Sequence, residues 1–526
     1  MNSAVPSPIT SQRTVLGHPV GLFLLFLVEM WERFSYYGMR GLLVLYLATP
    51  VTGMLVLPDG AAPGFNPGRG WSDGDAATLY GWYTGLAYLV PIIGGLIGDK
   101  LIGTHRSMVV GGLLISAGHV VLAVSGFGAM AENQLGMSIF MFGLALIVLG
   151  TGHFKPSVSV MVGELYPPGD PRRDGAFSIF YMGINLGAFL CAFVCGTLGE
   201  TVGWHWGFGS AAVGMLAGLG LYLYSRPKYL AHVGLPPAGK PNYVGHFLAG
   251  GTVLAAGFAV LSHLGVAAQV NALMTPVVTG LIGLVVLGLS GWFVAIQEKQ
   301  DRGPVASIFI FMLFNAFFWI AFEQAGSSIN LFTDRYTDRH IGSFNVPTTW
   351  FQSINPGIII LLAPAFGAIW TSLARRGMNP TQPMKIALGL AFLGAGYVII
   401  TAAGAASLPG HAPASLWLVF ATYTLHTFGE LCLSPTGLSY VTKAAPVRFV
   451  SLLMGIWFIS SFIANLGGGL IASRVEAIEK GDIQLPWRFG GQADFFFLFV
   501  VSSFGAAAVI VALTPLLKKL MRSVDD

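Results

Sequence analysis

Charge is the scarcest commodity in this chain, and its scarcity excludes the most. Only 10% of the 526 residues are Asp, Glu, Lys or Arg, against about a quarter in a water-soluble domain. Hydrophobic residues make up 54% and the mean hydropathy is +0.71. These values exclude a soluble globular enzyme and a disordered chain. A net charge of +4 is too small for a nucleic-acid-binding surface, so no nucleic-acid partner is expected. Cysteine is nearly absent. Cys191, Cys195 and Cys432 all lie in apolar runs, too few and too badly spaced for a disulfide framework or a metal site, and they read as small buried hydrophobes. No nucleophile–base constellation and no metal-ligand cluster stands out. Neither catalysis nor a cofactor is expected. The first 17 residues do not have the make-up of a cleavable signal, so insertion into a membrane is expected to be driven by the first apolar run itself.

What is present is a series of apolar runs of membrane-spanning length, about 20 residues each. They lie near 18–49, 76–98, 107–129, 136–163, 176–198, 204–225, 247–268, 271–296, 305–332, 347–373, 384–407, 414–441, 449–473 and 493–516. This predicts an all-α polytopic membrane protein with fourteen spans and lipid on most of its surface. An even count places both termini on one side. With that side cytoplasmic, eighteen of the 27 Lys and Arg residues fall inside and six outside, and Arg33, Arg40 and Lys155 fall within the membrane. That asymmetry is the positive-inside pattern. A proline-rich stretch from Ser225 to His246 precedes two spans that carry no internal charge. The expected division is therefore 1–230, a six-helix bundle; 231–300, a linker with two extra spans; and 301–526, a second six-helix bundle. Seventy glycines suit helices that must approach closely without water to drive them together.

Within this apolar background the first run carries Glu29, Glu32, Arg33, Tyr36, Tyr37 and Arg40. Their spacing places all six on one helical face, within an arc of about 140°. Ionisable groups at membrane depth are costly unless paired or facing water, so this face must look inward. Lys155 lies in the fourth run, Glu323 in the ninth and Glu430 in the twelfth. Four acids thus oppose three bases. Closely spaced carboxylates in a low dielectric do not all ionise comfortably, an arrangement suited to carrying a proton. The mixed signs also suit a zwitterionic substrate.

The loop Gly95 to Arg106 reads G-x-x-x-D-[RK]-x-x-G-x-x-R and resembles the cytoplasmic-loop signature of the major facilitator superfamily. That resemblance implies two six-helix halves around a central site and alternating access. The run E-x-x-E-R-F-x-Y-Y-G at Glu29–Gly38 is similar to the hallmark of the proton-dependent oligopeptide transporter family. So are Phe180–Gly187, the fourth-run lysine segment Gly152–Gly163, Phe351–Pro356 and Gly429–Leu438. The extra pair of spans resembles bacterial members. The resemblance implies a proton-coupled importer of di- and tripeptides, with protons as the coupling ion, in the inner membrane of a bacterium and acting as a monomer. The alternative on the same fold is an importer of nitrate or of peptide-like drugs. By resemblance, Glu29, Glu32, Arg33 and Glu323 would couple the proton. Arg40 would pair with Glu323 near the outer side, and Lys155 with Glu430 near the inner side. Peptide would contact Tyr36, Tyr37, Arg40, Tyr88, Lys155, Asn185, Trp319, Asn355, Glu430, Ser434 and Trp457. One departure stands out: where animal members carry a second-span histidine, this chain has Gly81, so a histidine relay is not expected.

Overall fold

The computed structural model describes residues 13–525 apart from 168, 274, 275 and 409; the side chains of 267, 276, 434–439, 442, 447, 451 and 522–525 also lie outside the described residues. Among the described residues there are fourteen long helices. In the first half they are α1 (Val20–Ala48), α2 (Asp73–Ile97), α3 (Thr104–Val124), α4 (Gln134–Glu164), α5 (Arg173–Cys191) and α6 (Trp204–Tyr229). Two more, α7 (Val244–His263) and α8 (Pro276–Ala295), follow as a hairpin. The second half holds α9 (Lys299–Phe322), α10 (Ile354–Arg375), α11 (Gln382–Ala406), α12 (Leu416–Ala444), α13 (Val450–Ala472) and α14 (Ala493–Asp525). Among the described residues, thirteen helices are long and apolar enough to cross a membrane. The one left out is α1, whose four charged residues keep it too polar. Short helical turns and, among the described residues, three two-residue strand pairs join the helices, one pair setting Thr337–Asp338 against Ala414–Ser415 in parallel.

Departures from the expected spans have local causes. The ninth span does not continue as one helix to 332: α9 stops at Phe322, a 3-10 turn covers Glu323–Gly326, and a separate short helix runs Ser328–Tyr336. Ser327, at φ −128° and ψ −96°, breaks the helical path. The eighth span begins at Pro276 rather than 271, because the chain turns at Gly265 (φ +78°) and forms the short helix Val266–Leu273 first. The third begins at Thr104, directly after Gly103, whose φ of +80° ends the preceding segment. Both α2 and α5 run on into five-residue π-turns, Gly98–Ile102 and Ala192–Gly196.

Lipid offers no hydrophobic reward for helix association, so close packing must supply it. In the first half α3 packs on α4 and α6, α4 on α2, and α1 on α5 and α6. Glycines set these distances. A Cβ at Gly111 of α3 would lie 2.6 Å from the carbonyl oxygen of Gly150 on α4, and one at Gly187 of α5 would lie 2.2 Å from that of Met30 on α1. Tyr46, Phe140 and Phe208 fill the core on one side of α1, and Phe154, Met161 and Tyr222 fill it on another. In the second half α11 packs on α12 and α14, and α9 on α13 and α14, around Phe318, Leu393, Tyr397, Phe495 and Phe496.

The halves meet through α2 against α13 and α5 against α10. The α2–α13 crossing is glycine on glycine: a Cβ at Gly81 would lie 2.9 Å from Gly469 Cα. The absence of a histidine at Gly81 therefore has a packing reason. The hairpin sits outside this arrangement. Helix α7 rests on α4 and α3, whereas α8 is exposed along its described length and touches the second half near its end, through Phe293 against Phe309 and Phe449.

Candidate functional site

A central cavity of about 420 Å³ lies between the halves. Helix α1 presents its polar face toward it. Within that face Arg33 Nε lies 2.8 Å from Glu29 Oε1 and 2.8 Å from Glu32 Oε2. All three side chains are buried, and none lines the cavity directly. The second oxygen of Glu29 and both oxygens of Glu32 have no hydrogen-bond partner among the described residues. Two turns further on, Arg40 forms an ion pair with Glu323 across the halves. Tyr80 joins them, accepting from Arg40 Nε at 2.6 Å and donating to Glu323 Oε2 at 3.3 Å. The 3-10 turn at Glu323 brings its carboxylate to Arg40, so the break in the ninth span serves this contact.

Of the expected substrate contacts, Tyr37, Arg40, Tyr88, Asn185, Trp319, Asn355, Glu430 and Trp457 all line the cavity, as does Glu323. Asn355 Nδ2 donates to Glu430 Oε2 at 2.7 Å and to Thr427 Oγ1 at 3.1 Å. Trp319 Nε1 donates to Asn315 Oδ1 at 3.2 Å, which orients the indole. Three expectations fare differently. Tyr36 is not on the wall; it stacks on Tyr83 with ring centres 6.0 Å apart. Lys155 stands behind the wall, its Nζ 3.9 Å from the centre of the Tyr88 ring. The side chain of Ser434 lies outside the described residues. The expected pair of Lys155 with Glu430 is not formed. Lys155 is held by the face of Tyr88, a cation–π contact, and Glu430 takes its hydrogen bond from Asn355 instead.

The cavity also exposes residues that sequence reasoning passed over: Tyr181, Gln352, Tyr423, His426, Ser461 and Asn465. Helical spacing could have found most of them. Tyr423 and His426 lie two turns and one turn before Glu430, and Ser461 and Asn465 lie one and two turns after Trp457. Gln352 Nε2 and Asn465 Oδ1 are buried and have no hydrogen-bond partner among the described residues. Aromatic faces dominate the rest of the wall, with Tyr37, Tyr88, Tyr181, Trp319, Phe322, Tyr423, Trp457 and Phe458 surrounding the few polar groups.

Two helical halves, a polar cavity between them and buried charges on facing helices define a multi-pass membrane carrier. The chain belongs to the POT family, the proton-dependent oligopeptide transporters, whose sequence model matches residues 105–487. The fold is that of the major facilitator superfamily. A peptide transporter of Yersinia enterocolitica, YePEPT, is 40% identical over 481 residues, covering 88% of this chain and 89% of the relative. The di-/tripeptide transporter of Lactococcus lactis subsp. cremoris is 35% identical, covering 86% and 88%. Among solved structures, that of peptide transporter POT in complex with sulfate superposes with a TM-score of 0.77 at 34% identity, covering 97% of each chain.

Proposed function

We propose that this chain imports di- and tripeptides by alternating access, driven by protons. The observation that carries the reading is the cavity itself. Its wall pairs a carboxylate–amide couple, Glu430 with Asn355, with a broad set of aromatic faces and the amide side chains of Asn185, Gln352 and Asn465. A carboxylate can take a peptide's ammonium. Amide groups can both donate to and accept from its backbone. Aromatic faces accept side chains of many kinds. Glu29 and Glu32 supply the proton site. Two carboxylates share the one guanidinium of Arg33 in a buried place, and a proton on Glu32 lowers the cost of keeping both there.

In the same reading the Arg40–Glu323 end is the outer end and both termini are cytoplasmic, in a bacterial inner membrane. The chain works as a monomer without a cofactor, as a carrier and not a catalyst. Residues 1–230 and 301–526 are the two moving bundles, and 231–300 is an attached linker and hairpin. Lys155 and Glu430 pair only when the inner end closes. The test is uptake of labelled dialanine into proteoliposomes under an imposed pH gradient. Accumulation that collapses with the gradient is expected, with nitrate failing to compete. Equal uptake without a gradient would overturn the coupling, and nitrate accumulation in place of peptide would overturn the substrate.

A further inference from the structure

We propose that Glu200 is a positioning residue of the transport cycle, a latch at the outer end that also sets the placement of Asn355 against Glu430. Glu200 lies in the last turn of the first half's short helix Thr197–Thr201 and is 1% exposed. Its carboxylate is held by neutral donors of the second half. Oε2 accepts from the Thr348 amide at 2.7 Å; Oε1 accepts from the Thr349 amide at 2.9 Å and from Thr349 Oγ1 at 2.7 Å. These amides open a helical segment, where backbone donors lack partners of their own and the helix dipole favours an anion.

The surroundings fix the same contact. Arg339 Nη1, also of the second half, lies 3.7 Å from Glu200 Oε2 and donates to the carbonyl of Val346 at 2.8 Å. Trp350 Nε1 donates to Thr197 Oγ1 at 2.8 Å. A Cβ at Gly196 would lie 2.0 Å from Thr349 Oγ1, so the two backbones are already as close as glycine permits. The segment that Glu200 grips runs as a 3-10 turn, Thr348–Ser353, directly into α10. Asn355 follows within about two turns. A shift of the gripped turn therefore reaches the Asn355–Glu430 bond.

Most of what holds Glu200 is neutral, two backbone amides and a hydroxyl, with the Arg339 guanidinium further off at 3.7 Å. Releasing it leaves a carboxylate, a guanidinium and amides, all of which water can satisfy. The latch thus opens as water enters the outer end and closes as water leaves.

The inference rests on the transporter reading above, and the test separates the two. Val202→Cys and Ile341→Cys, both exposed outer-end positions at 51% and 56%, take spin labels in a chain whose buried Cys191, Cys195 and Cys432 are replaced by Ala. Their distance distribution is measured with Glu200, Glu200→Gln, Glu200→Asp and Thr349→Val, alongside dialanine uptake. Glu200→Gln turns an amide toward amide donors. It is expected to raise the long-distance population several-fold and the KM for dialanine about tenfold, with a smaller change in kcat. Glu200→Asp should recover part of both, and Thr349→Val, which keeps the backbone bonds, should show a partial shift. Unchanged distances in both Glu200→Gln and Thr349→Val, in a chain that transports dialanine, overturn the latch. Shifted distances in a chain that transports no peptide uphold the latch and overturn the substrate reading.

Discussion

Lys155 and Tyr88 face each other across the cavity wall, the ammonium 3.9 Å from the centre of the ring. The ring, not the lysine, meets the cavity. Such a contact is worth about 0.5 to 2 kcal/mol and depends on the π face rather than the hydroxyl. Tyr88→Phe should therefore keep proton-driven dialanine uptake within about twofold of wild type, and Tyr88→Ala should lose about tenfold. Lys155→Ala should lose driven uptake altogether. Lys155→Arg should recover little, because a planar guanidinium is not a compact ammonium. Initial rates in proteoliposomes decide this; Tyr88→Ala at full rate would show that the ring does not hold the lysine.

Glu32→Gln tests the proton site. The amide keeps the shape of the carboxylic acid but has no proton to release. Gradient-driven accumulation should disappear, while counterflow exchange of dialanine, which needs no net proton movement, should remain within about threefold of wild type. Driven uptake that persists in the mutant would move the proton site elsewhere.

The Arg40–Glu323 pair can be tested by exchange of charge. Removing either partner of a buried pair leaves an uncompensated charge, costing about 3 to 5 kcal/mol. Arg40→Glu and Glu323→Arg alone should each abolish uptake, and the double exchange should recover a measurable part of it. A double exchange no better than either single change would show that the two residues act separately.

Gly81→His probes the glycine crossing of α2 and α13. No side chain fits 2.9 Å from Gly469 Cα, so the helices must separate. We expect the midpoint of thermal unfolding to fall by about 5 °C or more and no new pH dependence of transport to appear. An equally stable Gly81→His variant would show that the crossing yields easily.

Much of this organisation was legible in the sequence because charge inside an apolar run is so costly. Glu29, Glu32, Arg33, Arg40, Lys155, Glu323 and Glu430 announced themselves by type alone, and the helical phase of the first four fixed which face they share. The spans were legible for the same reason. What escaped was set by contacts between distant segments. Nothing local marks Glu323 as the start of a 3-10 turn; its ion pair with Arg40, 283 residues away in sequence, lies across the two halves. Tyr36 and Tyr37 are adjacent and chemically identical, yet Tyr83 draws the first into the packing and leaves the second on the cavity wall. Tyr181, Tyr423 and His426 looked like any aromatic or lone histidine in a helix. Glu200 went unmarked in the sequence, because its closest partners are backbone amides that no side-chain pattern reveals.

The polarity of α1 has a consequence for how the protein is made. On insertion scales an Arg or an acid at a helix centre costs about 2.5 to 3.5 kcal/mol, and α1 carries four such residues. Glu29, Glu32 and Arg33 offset one another within the helix as soon as it forms. Arg40 has no such local partner, and the carboxylate it needs is 283 residues further along the chain. At ~5–20 residues per second, roughly 15 to 60 seconds of synthesis separate the two. In that interval the guanidinium has the rings of Tyr37 and Tyr80 and the Tyr80 hydroxyl to shelter it, and no carboxylate. We therefore expect the first apolar run to hold its place in the bilayer less firmly than its length alone predicts until the helix carrying Glu323 has been made.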